Sequence, residues 1–250
     1  PQTDLVSIHD IPDGTFPSRV PDCSKPEHLH LLSKAVTETN ADIGFAFDGD
    51  GDRVGFVDEE AVPLSPEEST FALLQSFSQS LKNTKFVYDI KFSDTIAEAA
   101  SNLGASPIPE RSGHTFIRAR MIKEDATFGA EISGHYFYKA LGYGDDGMYS
   151  ACRLVHYLKQ KKLRLSDLRK RAPKPHITQD IRLEVRPDVQ TFMKEIKGKF
   201  SDMPLGSVDG LRVNFPNGWA LARPSVTESK ITFRFEGKTQ QDLEDTIRAF

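Results

Sequence analysis

Cysteine is scarce in this sequence: Cys23 and Cys152 are the only two. Two thiols so far apart offer neither a metal-ligand spacing nor a disulfide framework, and they fit a reducing, cytoplasmic compartment. Long apolar runs are missing too. No stretch approaches the roughly 20 residues that a membrane-spanning helix needs, and no signal-peptide pattern is visible. Nor is there a large excess of one charge: 32 Lys and Arg stand against 36 Asp and Glu, a net charge of −4. That argues against general binding to nucleic acid or membrane and makes any anion site a local one. Internal repeats and low-complexity tracts are absent. What remains is the composition of a soluble globular protein, 38% hydrophobic and 27% charged. Its 250 residues have room for one large domain or two to three small ones. The chain starts at Pro1 rather than Met, which suggests a fragment or a processed form.

The densest chemistry lies in Phe47-Asp48-Gly49-Asp50-Gly51-Asp52-Arg53. Glycine on both sides of Asp50 lets the backbone turn tightly and point three carboxylates at one spot. Converging carboxylates repel one another unless a cation sits among them, and hard oxygen ligands suit Mg²⁺. Arg53 follows at once, and guanidinium is the usual fork for phosphate. Metal beside a phosphate-binding arginine suggests phosphoryl chemistry. Two blander readings compete. Asp-Gly clusters are common in plain turns. An EF-hand loop would use Asp48, Asp50, Asp52 and Glu59, but it requires Gly where Arg53 stands. The flanks, residues 42–47 and 54–57, read as strands rather than helices.

The organisation is that of alternating strands and helices. Residues 1–28 are rich in proline and turn residues, then Pro26-Glu27 opens a helix carrying Leu29, Leu32 and Val36 on one face. With the aspartate loop and its strands this reads as the trailing part of an α/β domain, residues 1–62. A second α/β domain is expected over residues 63–174. It has a helix from Ser65-Pro66 to about Leu81, a strand over residues 85–90, and a helix from Ser93-Asp94 to Gly104. A long helix from Asp146 to about Lys162 closes it. Residues 175–250 read as a small α+β layer. A strand spans Ile177 to Val185, a helix Asp188 to Phe200, three strands follow from Gly210 to Phe235, and a helix runs from Gln240 to Phe250.

Four further motifs carry chemistry, each with an ordinary alternative. Lys91 follows a strand at its carboxyl end, where ligands bind in α/β domains, although most such lysines are merely solvated. His114, after Gly113 and between Arg111 and Arg118, can donate to phosphate or shuttle a proton; it equally suits a surface loop. Glu131, Ser133 and His135 alternate, so on an extended segment they face one way and suit a polyol. They could instead form the solvent face of a hairpin turning at Ser133-Gly134. Arg223, Ser225 and Thr227 lie on a short connection that could cradle phosphate or be a plain polar loop.

In this order and at these spacings the motifs resemble the α-D-phosphohexomutase family, and in particular its bacterial phosphomannomutase/phosphoglucomutase branch. The resemblance runs through nearly the whole chain, from Asp13-Gly14-Thr15-Phe16-Pro17 onward. It implies α/β domains followed by a small fourth domain like the TATA-binding protein, with an active-site cleft between domains. It implies Mg²⁺ at Asp48, Asp50 and Asp52, joined by the family's phosphoserine, and a phosphate contact for Arg53. Glu131 and Ser133 would hold sugar hydroxyls. Lys91, His114 and His135 would bind substrate or assist proton transfer. Arg223, Ser225 and Thr227 would grip the non-reacting phosphate. The implied activity interconverts hexose 1- and 6-phosphates of mannose and glucose through a bisphosphorylated sugar. The alternatives are a phosphoglucosamine mutase or a non-catalytic sugar-phosphate-binding module. The chain departs from the family mildly at Ser229, where proline is frequent, and Ala130, where glycine is, and more consequentially in two respects. It has no Ser-His stretch, so the serine nucleophile and the first domain are expected to be missing and the 250 residues inactive alone. Val226 stands where Gly or Asn is usual, and a β-branched residue resists positive φ.

Overall fold

The apolar residues on either side of the aspartate loop form a hairpin. In the computed structural model, which describes residues 4–11, 13–17, 20–77, 80–185, 188–225 and 230–250, α1 (His30–Thr39) leads into β1 (Ile43–Phe47). β1 pairs antiparallel with β2 (Val54–Asp58), with Phe47 opposite Val54. The register leaves residues 48–53 as the connection. Cys23, Leu29, Val36, Ala46 and Val57 form one buried cluster between α1 and the hairpin strands. The expected helix flanks of an EF-hand are therefore absent here. Glu59, which would close such a loop, instead accepts bonds from Ser166 through N–H and Oγ.

Contacts divide the chain into two units. The first comprises Pro1–Tyr88, Ile96–Ile108 and Gly113–Pro173. After the hairpin, Ser65 and Glu68 form a reciprocal capping box that starts α2 (Pro66–Ser76). This helix stops short of the expected Leu81. Next come β3 (Lys85–Asp89), α3 (Asp94–Asn102), β4 (Ser106–Glu110), α4 (His114–Glu124), β5 (Phe128–Ala130), β6 (Tyr136–Tyr138) and β7 (Gly144–Asp145). Then follow α5 (Gly147–Lys161) and α6 (Leu165–Arg171). The strands lie in the order β4-β3-β5-β6-β7. β3 and β5 are parallel, as a crossover through helices requires, while β5-β6 and β6-β7 are antiparallel hairpins. Val87, Ile117, Met121, Ala126 and Phe137 form a buried cluster. Two helices have no counterpart in the sequence reading. α4 begins at His114, inside the stretch read as a loop, and α6 is too short to show a period.

The second unit comprises Lys174–Phe250 with Asp89–Thr95 and Pro109–Ser112. The single strand expected from Ile177 to Val185 is two, β8 (His176–Ile177) and β9 (Ile181–Glu184). α7 (Val189–Lys199), β10 (Leu205–Gly206), β11 (Leu211–Phe215), β12 (Gly218–Pro224), β13 (Lys230–Gly237) and α8 (Gln240–Ala249) follow. The sheet runs β10-β11-β12-β13-β8, and β9 also pairs with β13. β12 buries both faces by alternation. Ala220 and Ala222 join Val213, Ile231 and Phe233 in one cluster, while Trp219 and Leu221 pack with Ile90 in another. No helix among the described residues is long and apolar enough to cross a membrane.

Gly237 is where α8 meets the sheet: a Cβ there would lie 2.1 Å from the Leu243 backbone nitrogen. Backbone cannot yield as a flexible side chain can, so Gly237→Ala should cost about 1–3 kcal/mol. Trp219 is the sole tryptophan and is 1% exposed, so its fluorescence follows this unit. The urea midpoint read by Trp219 should fall in the variant; an unchanged midpoint would contradict the packing described.

Candidate active site

Asp48 closes the aspartate loop. Its Oδ1 accepts the backbone N–H groups of Gly51 and Arg53, each at 3.1 Å, and its Oδ2 accepts Arg53 Nε at 2.5 Å. Gly51 adopts φ +79°, a left-handed turn that glycine enters at no steric cost. Its carbonyl accepts the N–H of Gly147 at 3.1 Å, which ties the loop to the start of α5. One carboxylate oxygen from each of Asp48, Asp50 and Asp52 then lies within 4.8 Å of the others. Their charges are felt unequally. Burial raises the pKa of Asp48, but the bonds and charge of Arg53 outweigh it and hold the carboxyl below its usual range. Asp52 is pushed up to about 6, by burial first and then by Asp48, Asp50 and Asp145. Its buried Oδ1 has no hydrogen-bond partner among the described residues. An orphaned oxygen on a carboxylate crowded by others of like charge is what a bound cation relieves, so the donor set fits a hard divalent ion. Arg53 is held by acidic groups, Asp48 and, at 3.9 Å, Asp22.

The segment carrying Glu131, Ser133 and His135 is not extended. It is the turn of the β5-β6 hairpin: Glu131 N–H donates to His135 O at 2.9 Å and Gly134 N–H to Glu131 O at 3.0 Å. Gly134 takes φ +95°. The alternation argument thus fails, yet the three side chains converge through the turn itself. Ser133 Oγ lies 2.8 Å from His135 Nδ1, Glu131 Oε2 lies 3.5 Å from the same nitrogen, and Glu131 is only 8% exposed. A solvent-facing hairpin would not bury its carboxylate. This turn is fastened to the aspartate loop by backbone. Arg53 and His135 form an antiparallel bridge, and Val54 N–H donates to Gly134 O at 3.2 Å. Two motifs some 80 residues apart are one constellation.

Asp145 joins them and was not singled out by sequence. Its Oδ1 lies 3.0 Å from His114 Nε2, and its Oδ2 lies 3.9 Å from His135 Nε2. Asp52 Oδ1 approaches the same His135 nitrogen at 3.4 Å. Burial lowers the pKa of His135, and Arg53 and His114 add to this, while Asp145 and Asp48 oppose it. The available signal was the pair Asp145-Asp146 between Gly144 and Gly147. Asp146 caps α5 by accepting Tyr149 N–H at 2.8 Å, and its neighbour on a strand must point to the other side.

In the second unit, Lys91 Nζ lies 3.2 Å from Asp180 and is nearly buried. Arg234 Nη1 approaches Asp180 at 3.4 Å. Burial would raise the Asp180 pKa, but the two cations hold it below its usual value. Arg223, on β12, forms an ion pair through Nε with buried Asp209, and its Nη2 donates to Ser112 O at 3.4 Å. Ser225 N–H donates to Lys230 O at 2.8 Å. Thr227 and Val226 lie outside the described residues.

Three domain profiles of one family match in order along the chain. They are phosphoglucomutase/phosphomannomutase alpha/beta/alpha domain II over residues 2–61, alpha/beta/alpha domain III over 66–176, and the C-terminal domain over 181–250. The chain belongs to this phosphohexomutase family. A phosphomannomutase/phosphoglucomutase of Pseudomonas syringae is 35% identical over 246 residues, covering 96% of this chain and 53% of the relative. A probable phosphoglucosamine mutase of Methanosarcina barkeri is 34% identical over 243 residues, covering 96% and 54%. Among solved structures, a family protein from Burkholderia thailandensis superposes with TM-score 0.83 at 31% identity, covering 95% of this chain and 52% of that one. The chain spans about half the length of the curated relatives it matches.

The electrostatics of Asp52 carry a stability consequence. A carboxyl raised from 3.8 to about 6 subtracts stability as pH rises through that window, because the folded state then holds a proton the unfolded state has lost. Without added metal, Asp52→Asn should raise the melting temperature of the first unit by about 2–4 °C at about pH 7. The gain should vanish near pH 4, below which both states are protonated. Equal gains at both pH values in thermal melts would refute the crowding of this carboxylate.

Proposed function

We propose that the parent protein is a phosphohexomutase that interconverts the 1- and 6-phosphates of mannose and glucose through a phosphoserine and a bisphosphorylated sugar. The observation that carries this reading is the convergence of Asp48, Asp50 and Asp52 with the turn that holds Glu131, Ser133 and His135. A family match over three domains supports it. Asp48, Asp50 and Asp52 would hold Mg²⁺, whose charge, when bound, stabilises the phosphoryl group in transfer. The chain's own residues do the rest. Arg53, oriented by Asp48, supplies a phosphate donor. Glu131 and Ser133 bind ring hydroxyls, and His114 and His135 hold or move a hydroxyl proton. In the second unit Lys91 supplies positive charge to the substrate, and Arg223, with Ser225 and Thr227, grips the non-reacting phosphate. Reading hydroxyls and phosphate with separate groups permits a sugar to bind in two opposite orientations.

The 250 residues contain no Ser-His stretch, so on this reading the nucleophilic serine belongs to an N-terminal domain of the same protein and these residues alone do not turn over. The unpaired thiols Cys23 and Cys152 are in keeping with a cytoplasmic setting. The substituent tolerated at C2 is the point of difference from the second reading, phosphoglucosamine mutase, which the Methanosarcina relative favours.

Calorimetry on the chain tests the assignment. Mg²⁺ should bind, and Asp50→Asn should weaken it about tenfold or more, since losing a ligand costs at least as much as losing its supporting partner. Glucose 1-phosphate should bind, with Arg223→Ala reducing its affinity. Mg²⁺ binding indifferent to Asp50 would overturn the metal assignment. Mutase turnover by the isolated chain would overturn the missing-serine claim.

A further inference from the structure

We propose that Asp145 is a positioning residue: it fixes the tautomer of His114 and, together with Asp52, that of His135, and thereby makes their surroundings a set of hydrogen-bond acceptors for ligand hydroxyls. Its backbone is pinned on both sides. Asp145 pairs with Phe137 in the β6-β7 ladder, and Asp146 is locked as the cap of α5. Its side chain is 9% exposed, and Oδ2 has no hydrogen-bond partner among the described residues.

An ionised carboxylate only accepts. At 3.0 Å from Asp145 Oδ1, His114 Nε2 must therefore carry the proton, leaving Nδ1 of the neutral ring as an acceptor. His135 Nε2 faces two carboxylate oxygens, Asp52 Oδ1 at 3.4 Å and Asp145 Oδ2 at 3.9 Å. Nδ1 also has a carboxylate nearby, Glu131 Oε2 at 3.5 Å, but it alone has a hydroxyl beside it, Ser133 Oγ, to donate to a lone pair; a lone pair on Nε2 would meet carboxylates only, so Nε2 is the N–H. His135 Nδ1 is then bare and accepts the Ser133 hydroxyl at 2.8 Å. That bond takes the only proton of Ser133 and leaves its oxygen to accept. Glu131, a carboxylate, also accepts. Tautomers follow from the network of partners: Asp145 sets that of His114, and Asp52 and Asp145 together set that of His135. The complementary ligand brings hydrogens, as the hydroxyls of a polyol do, rather than carbonyl or carboxylate oxygens. The polyol part of this inference rests on the sugar-phosphate reading above; the tautomer part does not.

Nitrogen-15 NMR of the histidine-labelled, metal-free chain at about pH 8.5, above the usual imidazole range, reads the tautomers directly. Both rings should be Nε2–H in the unmodified protein. Asp145→Ala should shift His114 towards a mixture of tautomers while exposed His156 stays unchanged. Asp145→Asn, which retains an acceptor oxygen, should restore Nε2–H. An Nδ1–H ring at His114 in the unmodified chain would overturn the proposal without any variant, as would an unchanged His114 tautomer in Asp145→Ala. Glucose 1-phosphate should move both rings' signals and bind about tenfold more weakly to Asp145→Ala, roughly the loss of one or two hydrogen bonds. If the sugar phosphate moves neither ring while the tautomers behave as stated, the function reading fails and the positioning role stands.

Discussion

Crowding of negative charge around one guanidinium organises the first unit. Asp22, Asp48, Asp50, Asp52 and Asp145 are drawn towards a region whose nearest fixed cation is Arg53. Arg53 is committed mainly to Asp48, because one Asp48 oxygen takes the guanidinium and the other takes two backbone N–H groups. That single carboxylate fixes the loop's shape and remains charged. The cost is displaced onto Asp52, whose Oδ1 makes no hydrogen bond among the described residues, with His135 Nε2 standing off at 3.4 Å, and whose carboxyl is pushed up to about 6. Such an arrangement is expensive for folding and useful for binding, since a divalent ion recovers the repulsion and the desolvation together. Asp48 is satisfied and shapes the loop; Asp52 is not, and that is the strain the proposed metal would relieve.

Much of this was legible in the sequence. Short apolar runs rich in Phe, Val and Ile on both sides of residues 48–53 marked two strands, and glycine flanking marked the turn between them. The helix starts read at Ser65-Pro66 and at Asp188 fall at the caps of α2 and α7. What was not legible has physical causes. Glu131, Ser133 and His135 converge, but not by the alternation expected of an extended segment. Gly134 lets the chain reverse, and the reversal rather than the pleat brings the side chains together. Asp145 was invisible because its role depends on a neighbour 31 residues away in sequence, His114, and on a strand of two residues, too short to show a period. α4 carries no helix-start signal: its N-cap is Gly113, which favours irregular structure and supplies no capping side chain.

The bridge between Arg53 and His135 has a further consequence. A backbone pair holds the aspartate loop against the hairpin turn, so the backbone segments that carry the three aspartates and the Glu131, Ser133 and His135 side chains are coupled. Sequence could name both motifs but not their attachment, because backbone pairing carries no residue signature. Gly134 matters twice here. It permits the turn, and its carbonyl accepts the N–H of Val54, the first residue of β2.

Each cation assigned to phosphate or substrate is already paired with an acidic group: Arg53 with Asp48, Lys91 with Asp180, Arg223 with Asp209. At first sight this argues against phosphate binding, since the charges are spent. The donor inventory argues the other way. A guanidinium has five N–H donors and an ammonium three, and Asp209 takes the Nε edge of Arg223 while the terminal nitrogens point elsewhere. A carboxylate behind the fork fixes a long side chain that would otherwise lose rotamer entropy on binding. It also keeps a half-buried arginine from standing uncompensated in the free protein, which would cost several kcal/mol. On the phosphohexomutase reading a bisphosphorylated sugar must be held and then turned round. Cations tempered by a permanent counter-charge suit that task better than bare ones, whose grip on phosphate would be harder to release.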